Sequence, residues 1–258
     1  MTHSQFLIQK NIKASCFYDS RSDRLSEIEE FLSSDIFKNI EKNLEKETYI
    51  SLGDLFVFIA KLAHQKSKQI LINFNLFLVQ EKDIFQKEKI EFVVKKYSIL
   101  KAIIKFSDET KTCAFNEIYI TRTDATSLEL EIAHLKKVKS FRDLMISTPA
   151  GSTWSRSYSG IILPHNANLN ILTPITIFPV NFKSLVLADK RIYIKHLSKR
   201  ENAVDVLIDN KRIILNEKKN FEIIIERDEK YVEVLVEKDN LAYFDAKVYI
   251  EQSMEFCH

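Results

Sequence analysis

The chain has 258 residues, 45% hydrophobic and 29% charged, with a net charge of +2. That is enough apolar content for one large or two modest cores and excludes a disordered chain, and the near-balance of charge offers no argument for a nucleic-acid partner. No stretch approaches the roughly 18 apolar residues of a membrane span, and the N-terminal MTHSQFLIQK lacks the apolar run of a signal peptide, so a cytoplasmic protein is expected.

In chain order, Gln5 to Gln9 reads as a first strand. From Ser22 the spacing turns helical: Leu25, Ile28 and Phe31/Leu32 share a face, and Ile36, Ile40 and Leu44 continue it. Ser34-Asp35 interrupts that run as the cap of a second helix. Thr48 to Ser51 is a buried strand, Leu52-Gly53-Asp54 the turn after it, Leu55 to Gln65 an apolar helix, and Gln69 to Phe74 another strand. Strand, helix, strand is a βαβ unit and implies a parallel sheet, whose ligands gather at the carboxyl ends of its strands, where Asp54 and Asn73 fall.

After Lys82 a charged segment leads out of this half, and from about Phe92 the pattern alternates with period two. KYSILKAIIKF, CAFNEIYITR and SLELEIAHL read as strands, with a hairpin at Ser107 to Glu109. VDVLI and KRIIL flank a two-residue turn at Asp209-Asn210, and FEIIIE and YVEVLVE flank another at Arg227 to Glu229. Leu241 to Met254 regains helical spacing. The expected organisation is an α/β domain over residues 1–90, completed by 239–258, and an all-β domain over 91–238. Cys16, Cys113 and Cys257 are odd in number and lack metal-ligand spacing, so reduced thiols are expected.

One stretch departs from the Lys, Glu, Ile, Phe and Leu texture of the rest. Thr148 to Pro179 contains all four prolines, two of the three glycines and the single tryptophan. The apolar run Leu144 to Ser147 reads as a short strand, Pro149 ends it, Gly151 permits a tight turn, and Ser152 and Thr153 cap a helix over Trp154 to Ser159. Unpaired N–H groups and hydroxyls around one point suit an anionic or polar ligand. An ordinary strand-to-helix turn is the alternative.

TPAGST at Thr148 to Thr153, followed by a short helix, a glycine, ILP and LTPI at Leu172 to Ile175, resembles bacterial NAD kinase. Asn116-Glu117 matches the family's Asn-Glu motif, Gly53-Asp54 part of its Gly-Gly-Asp-Gly, and Asn73 an Asn on the next strand. The resemblance implies a Rossmann-like α/β domain, a β-sandwich, and a C-terminal segment returning to the first domain. It implies transfer of the ATP γ-phosphoryl to the adenosine 2′-hydroxyl of NAD, with a magnesium ion accompanying ATP, and a homodimer or homotetramer. Asp54 matches the catalytic carboxylate, a general base for a weakly nucleophilic hydroxyl. Gly53, Leu55 and Asn73 fall in the phosphate and ATP region. Asn116, Glu117 and Thr153 match NAD-holding residues, and Trp154 or Ser155 falls where the family has Tyr. A Trp face stacks on a base, or else anchors a core.

The chain also departs from the family. The first and last glycines and the threonine of Gly-Gly-Asp-Gly-Thr are Leu52, Leu55 and Phe56. The glycines of the following strand are absent in LINFNLFL. The family's Asp-Gly before TPAGST is Arg142-Asp143: in ungapped register Arg142 stands at the acidic position, so either Asp143 substitutes by a one-residue shift or that contact to NAD is lost. These losses support an alternative, a catalytically impaired nucleotide-binding or structural module. Lipid kinases share Gly-Gly-Asp-Gly, but LTPI and Asn-Glu argue against them.

Overall fold

The computed structural model describes residues 6–10, 14–19, 25–44, 46–51, 56–71, 91–105, 109–122, 128–133, 137–177, 183–188, 191–197, 204–209, 211–215 and 221–238. Its contacts divide the chain into two compact units: Met1–Tyr97 with Val232–His258, and Ser98–Tyr231.

The first unit is α/β. Strands β1 (Phe6–Lys10), β2 (Ala14–Asp19), β3 (Thr48–Ser51), β4 (Gln69–Leu71), β17 (Val232–Glu237) and β5 (Phe92–Tyr97) form one sheet in that order. The β2–β3, β3–β4 and β4–β17 pairs are parallel, while β1 and β5 run antiparallel at the two ends. The expected βαβ unit is present, with helix α3 (Phe56–Lys66) between β3 and β4. The expected break between α1 (Leu25–Ser33) and α2 (Asp35–Asn43) is also present: Ser34 is the α2 N-cap and its Oγ accepts from Phe37 N at 3.2 Å. Ile28, Phe31, Leu32, Phe37, Ile40 and Leu44 pack with Cys16, Ile50 and Leu235 into one core. Each fully buried side chain of this size contributes roughly 2 kcal/mol. Burial, with Glu41's charge adding, pushes the Cys16 thiol up to about 12, so it stays protonated. Gly53, Asp54, Leu55, Asn73 and the segment Leu241 to Met254 lie outside the described residues.

FEIIIE and YVEVLVE do not pair with each other. The first forms β16 (Glu222–Arg227) in the second unit, and the second forms β17, which takes its place between β4 and β5. The alternation revealed strands but not partners, because partner choice depends on distant hydrogen-bonding edges.

The second unit is strand-rich. Its ladder runs β15 (Lys211–Leu215), β14 (Val204–Ile208), β8 (Glu117–Arg122), β10 (Lys137–Ser147), β9 (Leu128–Ile132), β13 (Ile192–His196), β16, β6 (Leu100–Lys105), β7 (Glu109–Ala114), with β11 (Leu169–Ile177) on β10 and β12 (Leu185–Ala188) on β11. Alternate residues of these strands turn to a single core that includes Ile118, Ile120, Leu130, Leu144, Ile146, Ile194, Val206 and Ile223. The short strand expected at Leu144 to Ser147 is the end of the longer β10, whose first half pairs with β9 and whose last residues pair with β8 and β11. Pro174 lies inside β11, past Leu172, the last residue β12 pairs, where a missing N–H costs the ladder least.

Candidate functional site

Asn116 and Glu117 sit where the bend after β7 opens β8, and their backbone is held from two directions. The Asp209 carboxylate accepts from Phe115 N at 2.6 Å, Asn116 N at 2.7 Å and Glu117 N at 3.2 Å. On the other side, Thr148 Oγ1 donates to the Phe115 carbonyl at 2.7 Å, and Thr148 N donates to the Asn116 carbonyl at 2.8 Å. Charged acceptors make short, strong hydrogen bonds, so the Asp209 side of the clamp is the stronger. The Asn116 side chain is half-buried and Glu117 is buried beside Ser147, its cross-strand neighbour.

Thr148 also begins helix α4 (Pro149–Ser159). It is the N-cap, its Oγ1 accepts from Gly151 N at 3.0 Å, and its carbonyl accepts from Ser152 N at 2.9 Å. This corrects the expected helix over Trp154 to Ser159. The helix starts at Pro149, which suits the first turn because it lacks an N–H. Ser152 and Thr153 are interior residues whose hydroxyls donate to the Pro149 and Ala150 carbonyls. Two N–H groups of the first turn are therefore satisfied within the chain, unlike the open ring of donors expected from the sequence. Gly151 makes no tight turn either. A Cβ there would lie 2.1 Å from the Asn116 carbonyl oxygen, so its role is to let α4 press onto the Asn116 backbone.

The face of α4 sorts the remaining candidates. Ser155 is fully buried and donates to the Ser152 carbonyl. Trp154 is 56% exposed and Tyr158 is 55% exposed, and their ring centroids lie 6.1 Å apart with the planes tilted by 47°. Of the two readings of Trp154, the core anchor is therefore excluded. Thr153 is exposed on the same helix.

Arg142 and Asp143 point to opposite faces of β10, as neighbours on a strand must. Arg142 is exposed and Asp143 is buried. Asp143 accepts hydrogen bonds from the Thr121 hydroxyl and from Tyr119, and the Arg142 Nε lies 3.9 Å from its Oδ2. Burial first, and then the Asp143 charge, hold the Tyr119 phenol protonated well above its ordinary range. Tyr158 is close enough to Tyr119 to act on its titration. Sequence reasoning missed the Asp209 contacts to the Asn116 turn, and Tyr119 and Tyr158 beside Asp143. Asp209 was legible only as a turn residue, and the other two carried no local signal.

The loop after α4 holds His165, whose imidazole burial pushes down from 6.5 to about 4. Above pH 6.5 the folded and unfolded chains are both neutral at this site. Below it the unfolded chain takes up a proton that the folded chain refuses, so stability falls with pH and levels off near 4. A shift of this size corresponds to roughly 3 kcal/mol. Urea midpoints at pH 7 and pH 4.5 are expected to differ less for His165→Gln than for the wild type.

No family model matches the chain. A curated NAD kinase of Flavobacterium psychrophilum is 36% identical over 103 residues, which is 38% of this chain and 35% of that protein, so the match spans about a third of the relative's length. Among solved structures, yeast NADH kinase complexed with NADH superposes with a TM-score of 0.59 at 18% identity, over 77% of this chain and 65% of that one. An NAD kinase from Archaeoglobus fulgidus in complex with ATP gives 0.57 at 18% identity, over 88% of this chain and 95% of that one. At such identities the structures establish the fold, and the curated relative adds agreement in sequence over a limited stretch. Fold and local sequence thus converge, and the chain is NAD kinase-like.

Proposed function

We propose that the chain is an NAD kinase, transferring the γ-phosphoryl of ATP to the adenosine 2′-hydroxyl of NAD to give NADP. The supporting observation is the clamp on Asn116 and Glu117, which presents two polar side chains from a backbone fixed by Asp209 and Thr148. Relatives of the same fold are NAD and NADH kinases, one in complex with NADH and another with ATP.

In this reading Asn116 and Glu117 hold NAD ribose or amide groups, Thr153 lies by the base, and Trp154 offers a ring face for stacking. Asp143 rather than Arg142 supplies the acidic group, with Arg142 left as a neighbouring cation. Buried Ser155 is left out of the contact set. Asp54 orients the 2′-hydroxyl and accepts its proton, while Gly53, Leu55 and Asn73 contact the phosphates. A magnesium ion accompanies the ATP phosphates and neutralises charge on the transferred group; the described residues contain no group of three or more His, Cys, Asp or Glu suited to a metal. The protein self-associates and works in the cytoplasm.

The lost glycines at Leu52 and Leu55 favour a second reading, a nucleotide-binding module without turnover, because side chains at those positions oppose close approach of backbone N–H groups to phosphate. Purified protein with NAD, ATP and magnesium separates the two when NADP is followed with an NADP-specific dehydrogenase. Steady NADP formation is the expected result. Folded protein that binds NAD and makes no NADP leaves the second reading standing.

A further inference from the structure

We infer that Asp209 is a positioning residue for NAD binding, acting through the backbone of Asn116 and Glu117. The inference rests on the NAD reading of that turn and goes beyond it by naming what holds the turn in place.

Asp209 belongs to the β14–β15 hairpin, 93 residues from Asn116 in the chain. Its φ is +45°, one of two positive values at non-glycine residues among the described ones. Glycine would occupy this conformation with less strain. A carboxylate is present instead, and both of its oxygens are engaged by the turn. Oδ2 accepts from Phe115 N, and Oδ1 accepts from Asn116 N and Glu117 N. Asp209 N in turn donates to the Glu117 carbonyl at 3.2 Å. Three successive N–H groups thus converge on one anion, while Thr148 satisfies two of the carbonyls of the same peptides. With the peptide planes set in this way, the directions in which the Asn116 and Glu117 side chains leave the backbone are set too. Without the carboxylate the three N–H groups turn toward other acceptors, and the two side chains lose their common orientation before NAD arrives.

The substitutions separate backbone strain from anchoring. Asp209→Gly relieves the strained φ and removes the carboxylate. Asp209→Asn keeps an acceptor for Asn116 and Glu117 and turns an amide toward the Phe115 N–H. With the full chain, NAD dissociation constants by calorimetry, KM values for NAD and for ATP, and thermal melts are the readouts. Asp209→Gly is expected to weaken NAD binding about tenfold and to raise the NAD KM in step, with the ATP KM within about twofold of wild type. Asp209→Asn is expected to fall between, at about threefold. NAD affinity within about twofold of wild type in both folded variants overturns the inference, as does an equal rise of both KM values, which marks a general structural role. If Asp209→Gly does not fold, Asp209→Asn decides alone by the same criteria. A wild-type chain that binds no NAD removes the reading of the site and this inference with it. A wild type that binds NAD no better than the variants removes this inference alone.

Discussion

Asp54→Asn is expected to lower NADP formation by a factor of about 10² to 10⁴ while leaving the KM for NAD within a few-fold of wild type. A ribose hydroxyl is a poor nucleophile and its proton must leave as the phosphoryl arrives. An Asn at this position keeps the size and one hydrogen-bond acceptor, so it still orients the hydroxyl. It cannot take the proton. The loss therefore falls on kcat, and this split distinguishes a general base from a residue that only helps to bind. A dehydrogenase-coupled assay at saturating ATP measures both constants. Turnover within threefold of wild type would show that the proton leaves by another route.

Gly151→Ala carries the second large effect, and it acts on stability and binding together. The added methyl would sit 2.1 Å from the Asn116 carbonyl oxygen and 2.6 Å from its carbon, both backbone atoms that cannot rotate away. Either the first turn of α4 lifts or the Asn116 turn retreats. Overpacking of this kind costs about 1–3 kcal/mol and more where backbone must move, which lowers the melting temperature by several degrees. Because the displaced atoms belong to the clamp, NAD affinity is expected to fall at least about tenfold, since a hydrogen bond to a charged group is at stake. Gly160→Ala is the control. Gly160 ends α4 at φ +69° with nothing within 4 Å of its Cβ position. Its cost is conformational, about 1 kcal/mol, and NAD affinity is expected to stay at the wild-type value. Equal effects on NAD binding at the two glycines would refute the contact argument.

The two glycines show how far local reading reaches. Gly151 was marked as a site of backbone freedom, and Gly160 as the glycine that follows the short helix. At Gly160 the need is the left-handed φ that ends a helix, a property of the residue and its neighbours. At Gly151 the need is the approach of a turn more than thirty residues earlier in the chain, and no local rule reveals it. Trp154 and Ser155 repeat the lesson. The motif placed them together, and only the face of α4 turned against the sheet decided that Ser155 is buried and Trp154 exposed. Arg142 held the family's acidic position in ungapped register, and only β10 showed that it is the exposed residue of the pair and Asp143 the buried one.

From the chain alone came its mixed α/β, strand-rich character, the Ser34 cap, the βαβ unit and the Asp209 turn. All of these depend on periodicity and backbone preference along short continuous stretches of the chain. Folding in three dimensions decided that VEVLVE inserts beside β4, that Pro174 is accommodated within a strand, and that Asp209 and Thr148 grip the same three peptides. Those outcomes turn on which unpaired hydrogen-bonding groups meet across long loops, and the free energy of such meetings belongs to the pair and is written in neither segment by itself.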